Sequence, residues 1–445
     1  MSGGGSSVKH YVKSLLLMFS AVLVVGLIGC SSSGAGEGNA DSKSDEGAVE
    51  LTLLTHYSQQ QEEELQTYID QWNEENPNIH VTHKSIADFS QLLPTMMAQQ
   101  TAGQQADILH VYSLWGGQLV QSNVLAAPPE DVIADIRANY PDAAVNGATV
   151  NGELYGYPTE IQTYALYYNK KLLEKAGYSD PPETWDELYE IAEATTEREG
   201  KKLKVAGFGL KSSPDSSGTT HPFLSLLYSA GGTFISEDGT ETSIHSDAAL
   251  KTLRFQQQLI EDGLTDTSFE VADAFPSEQV AMTINAGWWQ GTLKATMGDK
   301  YAHVGVTSVP SPDGSGSGSV SYGFFYGVNE RSQQQKEAWE FLKWLNGEAQ
   351  ENGATPEANF LASQGIIPSR TSDLEALETA FATPNNQPFI EALEYAVPEP
   401  NVLNGEKIKT SLQKQIESVW SGQITPEQAL ETAEQQILRD LTANQ

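Results

Sequence analysis

An α/β fold built as lobes with largely parallel sheets is predicted by three features of the chain. Short apolar runs alternate with helix-like patterns, helix starts carry capping signals, and the end of the chain is nearly all helical. Val49–Thr55 reads as the first strand, and Glu62–Trp72 as a helix with Leu65, Tyr68, Ile69 and Trp72 on one face. A strand at His80–Ile86, a helix at Ser90–Gln100 and a strand at Asp107–Tyr112 follow. Tyr164–Tyr168 is read as a strand leading into a helix at Lys170–Ala176. Further strands are expected at Val205–Leu210, Val280–Ile284, Val304–Val309 and Gly323–Val328. Thr184 with Glu187 and Ser332 with Gln335 fit capping boxes, and Thr425-Pro426-Glu427-Gln428 adds a proline at the first helical position. The stripes Ile408, Leu412, Ile416, Val419 and Leu430, Ala433, Ile437, Leu441 are expected to be core packing. The Gly- and Ser-rich stretch 311–319 is expected to be a flexible surface loop between strands.

The 445 residues are enough for two or three domains, and carry 59 acidic against 25 basic side chains, for a formal net charge of −34. That balance argues against nucleic acid or an anionic membrane surface as partner, because both require clustered Lys and Arg. One cysteine excludes an internal disulfide. Its position is informative. Lys9 and Lys13 precede the run Ser14–Ile28, too short to span a bilayer and suited to the apolar core of an export signal. The run ends in Leu27-Ile28-Gly29-Cys30, which resembles the bacterial lipobox. Residues 1–29 are thus expected to be a signal peptide, and Cys30 the diacylated first residue of the mature chain. Residues 30–47 have no large apolar side chain after Cys30 and read as a disordered tether reaching about 23 Å.

Motifs for catalysis are missing from the sequence: no phosphate-cradling G-x-x-x-x-G-K, no G-x-S-x-G and no H-E-x-x-H occurs. Gly207 and Gly209 lack the third glycine of a dinucleotide fingerprint. His80 and His83, three apart on a strand, face opposite sides and do not suit one metal ion. Aromatic residues beside Gly and polar residues at strand ends stand out instead. His56-Tyr57-Ser58, Ser113 with Trp115, Trp288-Trp289, and Tyr322 with Phe324 each follow or begin a strand. Ligands of open α/β sheets lie beyond strand carboxyl ends, and flat rings with hydroxyl and amide neighbours suit sugars. Each ring taken alone is equally well explained as core packing. Trp288 and Trp289 cannot both point easily into one core.

The segments Asn151-Gly-Glu-Leu-Tyr-Gly-Tyr-Pro158, Ala165-Leu-Tyr-Tyr-Asn169-Lys170, Ala176-Gly177 and Pro181-Pro-Glu-Thr-Trp-Asp-Glu-Leu188 carry a resemblance. So do Asn76-Pro77, Ala106-Asp107-Ile108, Val280-Ala-Met282, Lys336-Glu-Ala-Trp-Glu-Phe341-Leu and Ile367-Pro368-Ser369-Arg370. In this order the chain resembles the family-1 extracellular solute-binding proteins, which include the maltodextrin-binding proteins. The resemblance implies an α/β, two-lobe, periplasmic-binding-protein-like fold of type II, with discontinuous lobes and crossing hinge strands. By this analogy lobe 1 is 48–158 plus 325–372, and lobe 2 is 162–321 plus 373–445. The chain would cross near Pro158–Gln162, near Gly323–Phe325 and again after Arg370. Trp185 and Asp107 are expected to be structural, whereas Glu160, Gln162 and Tyr164 sit at the first crossing and are expected to touch ligand.

The function so implied is capture of a mono- or oligosaccharide and its delivery to the transmembrane permease subunits of an ABC-type importer. The expected ligand contacts are Tyr57, Ser113, Trp115, Glu160, Gln162, Tyr164, Trp288, Trp289, Tyr322 and Phe324. The protein is expected to be a monomer held through Cys30 at the extracytoplasmic membrane face, with no cofactor, metal or catalysis. Two alternatives share the fold-level evidence: a secreted lipoprotein glycoside hydrolase, and a sensor or adhesion lipoprotein without a transporter.

Overall fold

The apolar run Val49–Thr55 forms β1, which pairs in parallel with β2 (Ile79–Ser85) and β3 (Ile108–Tyr112). The structure is a computed structural model and describes residues 47–211, 215–236 and 238–442. The export signal, Cys30 and the tether up to Glu46 lie outside the described residues. β3 is buried along its whole length, its apolar residues flanking a buried His110, as befits a strand covered on both faces. Asp107 fixes its entry: one carboxylate oxygen accepts the Thr52 backbone N–H at 2.9 Å and the other the Ser332 hydroxyl at 2.7 Å.

The strand read at Tyr164–Tyr168 is the far end of a longer one, β4 (Tyr157–Asn169). Then come β5 (Glu197–Glu199), β6 (Lys202–Gly209), β7 (Val280–Ala286), β8 (Val304–Thr307), β9 (Val320–Val328) and β10 (Val397–Pro398). They form one 10-stranded sheet in the order β2-β1-β3-β9-β4-β7-β6-β5, with β8 on β4 and β10 on β9. The sheet is mixed, which corrects the expectation of largely parallel pairing. β1 with β2 and β3, and β6 with β7, are parallel, but β9 runs antiparallel to both β3 and β4, and β4 antiparallel to β7 and β8. The cause is that β4 and β9 carry the chain in opposite directions, and strands travelling opposite ways side by side must pair antiparallel.

Three buried clusters form around this sheet. The first gathers Leu51–Tyr157 with Phe324–Ile366; the second gathers residues from Tyr164 to Val320 with the carboxyl-terminal helices Gly405–Trp420 and Pro426–Thr442; the third gathers residues from Ala165 to Val306 with Phe389. β4 leaves the first cluster at Tyr157 and enters the second at Tyr164. β9 returns, with Val320 in the second and Phe324 in the first. Beside them Glu160 bridges Pro368 on the third passing segment. Close approach here demands a glycine: a Cβ at Gly323 would lie 2.8 Å from the Glu160 carbonyl oxygen.

The two carboxyl-terminal stripes are buried as read. Capping boxes close the helices that begin after Thr184 and Ser58, and Thr425 and Gln428 make the same reciprocal pair. Ser332 is a correction. Its hydroxyl is engaged by Asp107 and the Gln334 backbone, and the helix Gln335–Gly347 starts after Gln334 with no side-chain cap. The end of stretch 311–319 is likewise built into the interior and is not loop surface. Ser319 is fully buried with its hydroxyl on the Tyr164 backbone, and Gly318 lies against the backbone of Ser225 and Ser229.

Candidate functional site

The turns after β1, β6 and β7, the last residue of β3 and the crossing parts of β4 and β9 open onto a cavity of about 330 Å³. Strand carboxyl ends suit ligands because the chain there leaves the ladder and its groups are free to point outward. The volume lies in the ordinary range for small-molecule sites.

One wall comes from the first cluster. Ser58 both ends the turn after β1 and caps the helix Gln59–Glu75, so His56 and Tyr57 are held at its entrance. His56 stacks on Phe324 at 4.6 Å with the rings 14° apart, and meets the edge of Phe89 at 5.3 Å. Burial pulls the His56 imidazole down to about 4, so it is neutral at physiological pH and acts as one more flat ring. Tyr112, the last residue of β3, packs edge-on to Tyr322 at 5.8 Å.

The facing wall carries Tyr164, Tyr322 and Trp288, all lining the cavity. Trp288 is fixed through its backbone N–H, which donates to the Gln162 side-chain oxygen at 3.1 Å. Between the walls lies Glu160, almost fully buried, bonded to the Thr159 hydroxyl and 3.9 Å from His110 Nε2. Burial raises its carboxyl to about 7, against the opposing pull of the Thr159 hydroxyl and its own backbone N–H. Among the described residues, no group of three or more His, Cys, Asp or Glu is placed to hold a metal ion.

Of the residues singled out in the sequence, Tyr57, Glu160, Gln162, Tyr164, Trp288, Tyr322 and Phe324 line the cavity; Ser113, Trp115 and Trp289 do not. Trp289 turns away from the cavity and is fully buried against Tyr167 and Phe275, at 5.1 and 5.2 Å. Adjacent residues at the start of a helix diverge by about 100°, which sends one indole to the cavity and the other to the core. Trp115 stands behind the first wall, stacked on Phe89 at 4.8 Å with its indole N–H on Glu406 at 3.0 Å. Ser113 lies beneath β9, where a Cβ at Gly323 would come 3.6 Å from its hydroxyl. Sequence reading passed over Phe89, Tyr112 and Lys211, which also line the cavity. Tyr112 had a usable signal as the aromatic residue ending a buried strand.

Residues 58–352 match the family model for bacterial extracellular solute-binding proteins. The chain belongs to that family. Among relatives of this solute-binding protein, a binding protein of Brucella abortus is 24% identical over 400 residues, covering 88% of this chain and 93% of that one. The arabinooligosaccharide-binding protein of Bacillus subtilis is 23% identical over 356 residues, covering 77% and 78%. Among solved structures, the GacH receptor of Streptomyces glaucescens superposes with a TM-score of 0.78 at 23% identity, covering 89% of this chain and 99% of that one. An ABC transporter solute-binding protein of Thermotoga lettingae superposes with a TM-score of 0.79 at 22% identity, covering 88% and 100%. The fold is therefore the α/β, two-lobe, type II periplasmic-binding-protein fold. No helix among the described residues is long and apolar enough to cross a membrane.

Proposed function

We propose that this solute-binding protein captures a mono- or oligosaccharide in the cavity and delivers it to the transmembrane subunits of an ABC-type importer. The observation that carries this reading is the pairing of two aromatic walls, His56, Phe89 and Phe324 against Tyr164, Tyr322 and Trp288, with Glu160 and Gln162 between them. Sugar rings present apolar C–H faces and a hydroxyl rim, and this arrangement offers flat rings for the first and hydrogen-bonding groups for the second. Relatives agree in kind: one is an arabinooligosaccharide-binding protein, and a structural neighbour was solved bound to α-D-tagatose.

The lobes we assign are 48–158 with 325–372, and 162–321 with 373–445; the division of buried clusters along the chain supports this. Tyr57, Glu160, Gln162, Tyr164, Trp288, Tyr322 and Phe324 face the sugar, while Ser113, Trp115 and Trp289 support the walls from behind. The protein works as a monomer on the outer face of the membrane, held through lipid on Cys30, and returns its ligand chemically unchanged. A thermal-shift screen against mono- and oligosaccharides tests the reading. A ligand at 100 times its dissociation constant stabilises by about 2.7 kcal/mol, a clear rise in melting temperature. No rise with any saccharide would overturn it.

A further inference from the structure

The segment after Arg370 returns to the sheet as β10, and just beyond it the Glu399 backbone N–H donates to the Ser321 carbonyl at 2.9 Å. This places the Glu399 carboxylate between the clusters, almost out of solvent. It gathers side chains from widely separated parts of the chain. The Tyr112 hydroxyl donates to one oxygen. His221 Nε2 lies 2.6 Å from the other, and Lys409 Nζ 3.3 Å from it. On its far side the His221 ring presents Nδ1 to the Tyr164 hydroxyl at 2.9 Å. Lys409 also donates to the Tyr112 oxygen and to the Ser217 hydroxyl, each at 2.9 Å.

We propose that Glu399 is a positioning residue that holds Tyr112 and Tyr164, one from each wall, in their cavity-facing orientation. The proposal rests on the reading of the cavity as the ligand site. Hydrogen-bond polarity fixes the arrangement. At pH 8 the Glu399 carboxylate is ionised and only accepts, so both Tyr112 and His221 Nε2 must donate to it. Burial and the Lys409 charge keep the His221 ring neutral, and a neutral imidazole has one N–H. Nδ1 is then an acceptor, and the Tyr164 hydroxyl must donate to it. The donors run Tyr164 to His221 to Glu399, and Tyr112 to Glu399 from the other side, so one carboxylate sets both phenols. Lys409, held by Glu399 and Glu406, balances the charge.

Nitrogen-15 NMR of the histidines in the intact protein at pH 8, without sugar, tests this. His221 is expected neutral, with its hydrogen on Nε2 and Nδ1 shifted as an acceptor. Tyr164→Phe should leave that tautomer in place, because Glu399 dictates it. Glu399→Gln, which replaces one of the two accepting oxygens by an NH2 that only donates, should move the ring signals of Tyr112 and Tyr164 together. A His221 hydrogen on Nδ1 in the native protein, or tyrosine signals unmoved by Glu399→Gln, would overturn the proposal. If Glu399→Gln fails to fold, the native tautomer and Tyr164→Phe still decide it. No sugar enters the measurement, so its failure is separate from failure of the carbohydrate reading.

Discussion

Gln162 and Trp288 are joined by one hydrogen bond, the side-chain oxygen of the first accepting the backbone N–H of the second at 3.1 Å. Gln162 lies on β4 where that strand passes between the clusters, and Trp288 sits in the turn after β7. The bond therefore ties a cavity-facing indole to the crossing strand. The Thr163 carbonyl, next along, takes the Gly287 N–H at 3.3 Å and steadies the same turn.

Trp288→Ala should weaken sugar binding by about 1–3 kcal/mol, the worth of one large apolar contact, and leave the melting temperature nearly unchanged. Gln162→Ala should weaken binding in the same direction by releasing the turn. Calorimetric titration against a saccharide identified by screening measures both.

Trp289→Ala should behave differently. Its indole fills the core against Tyr167 and Phe275, so truncation should cost about 3–5 kcal/mol of stability. Denaturant unfolding reads this directly. A Trp289→Ala protein of native stability and reduced affinity would mean that the two indoles have been assigned the wrong way round.

The stability contributed by two buried carboxylates should fall as pH rises toward 8. Burial raises Glu160 to about 7 and Glu399 also to about 7, from an ordinary 4.5. A folded-state value above the unfolded one means that the folded state holds the proton more tightly. The resulting stability is fully present below pH 4.5 and is lost as pH climbs through 7. Each group contributes on the order of 3 kcal/mol across that window. Buried imidazoles such as His56, held down at about 4, act in the opposite direction as pH rises, so the readout is a comparison: between pH 5 and 8 the unfolding free energy of Glu160→Gln should fall less, or rise more, than that of the native protein, by about 3 kcal/mol.

Much of the fold was legible because the local signals and the packing agree. Val49–Thr55 and Lys170–Ala176 occupy the ranges read from their apolar pattern and flanks. β4 was legible only from Tyr164, because its first half, Pro158-Thr-Glu-Ile-Gln-Thr163, has no apolar run; it is a strand because β9 lies beside it. Parallel pairing was overestimated for a related reason: nothing local records which way a crossing strand travels. At the site, Trp288 was legible as a ring that could not share a core with its neighbour. Glu399 was not, since its bond to Tyr112 spans 287 residues of chain and no local pattern announces it.

Cys30→Ser should release the protein into the medium or leave the precursor uncleaved, because the Leu-Ile-Gly-Cys ending is proposed to direct lipidation. Fractionation with metabolic acyl labelling reads the outcome. Correctly cleaved Cys30→Ser protein still retained on membranes would count against the anchor.

The central claim is that the two walls close on a sugar. Calorimetric titration of the native protein with a panel of mono- and oligosaccharides, paired with small-angle scattering, tests it most directly. The account predicts saturable binding of at least one saccharide, with a negative heat-capacity change from burial against the rings and a decrease in radius of gyration on saturation. A ligand shifts that equilibrium only by binding the closed arrangement better than the open one. Saccharides that leave both the heats and the scattering unchanged would contradict the account.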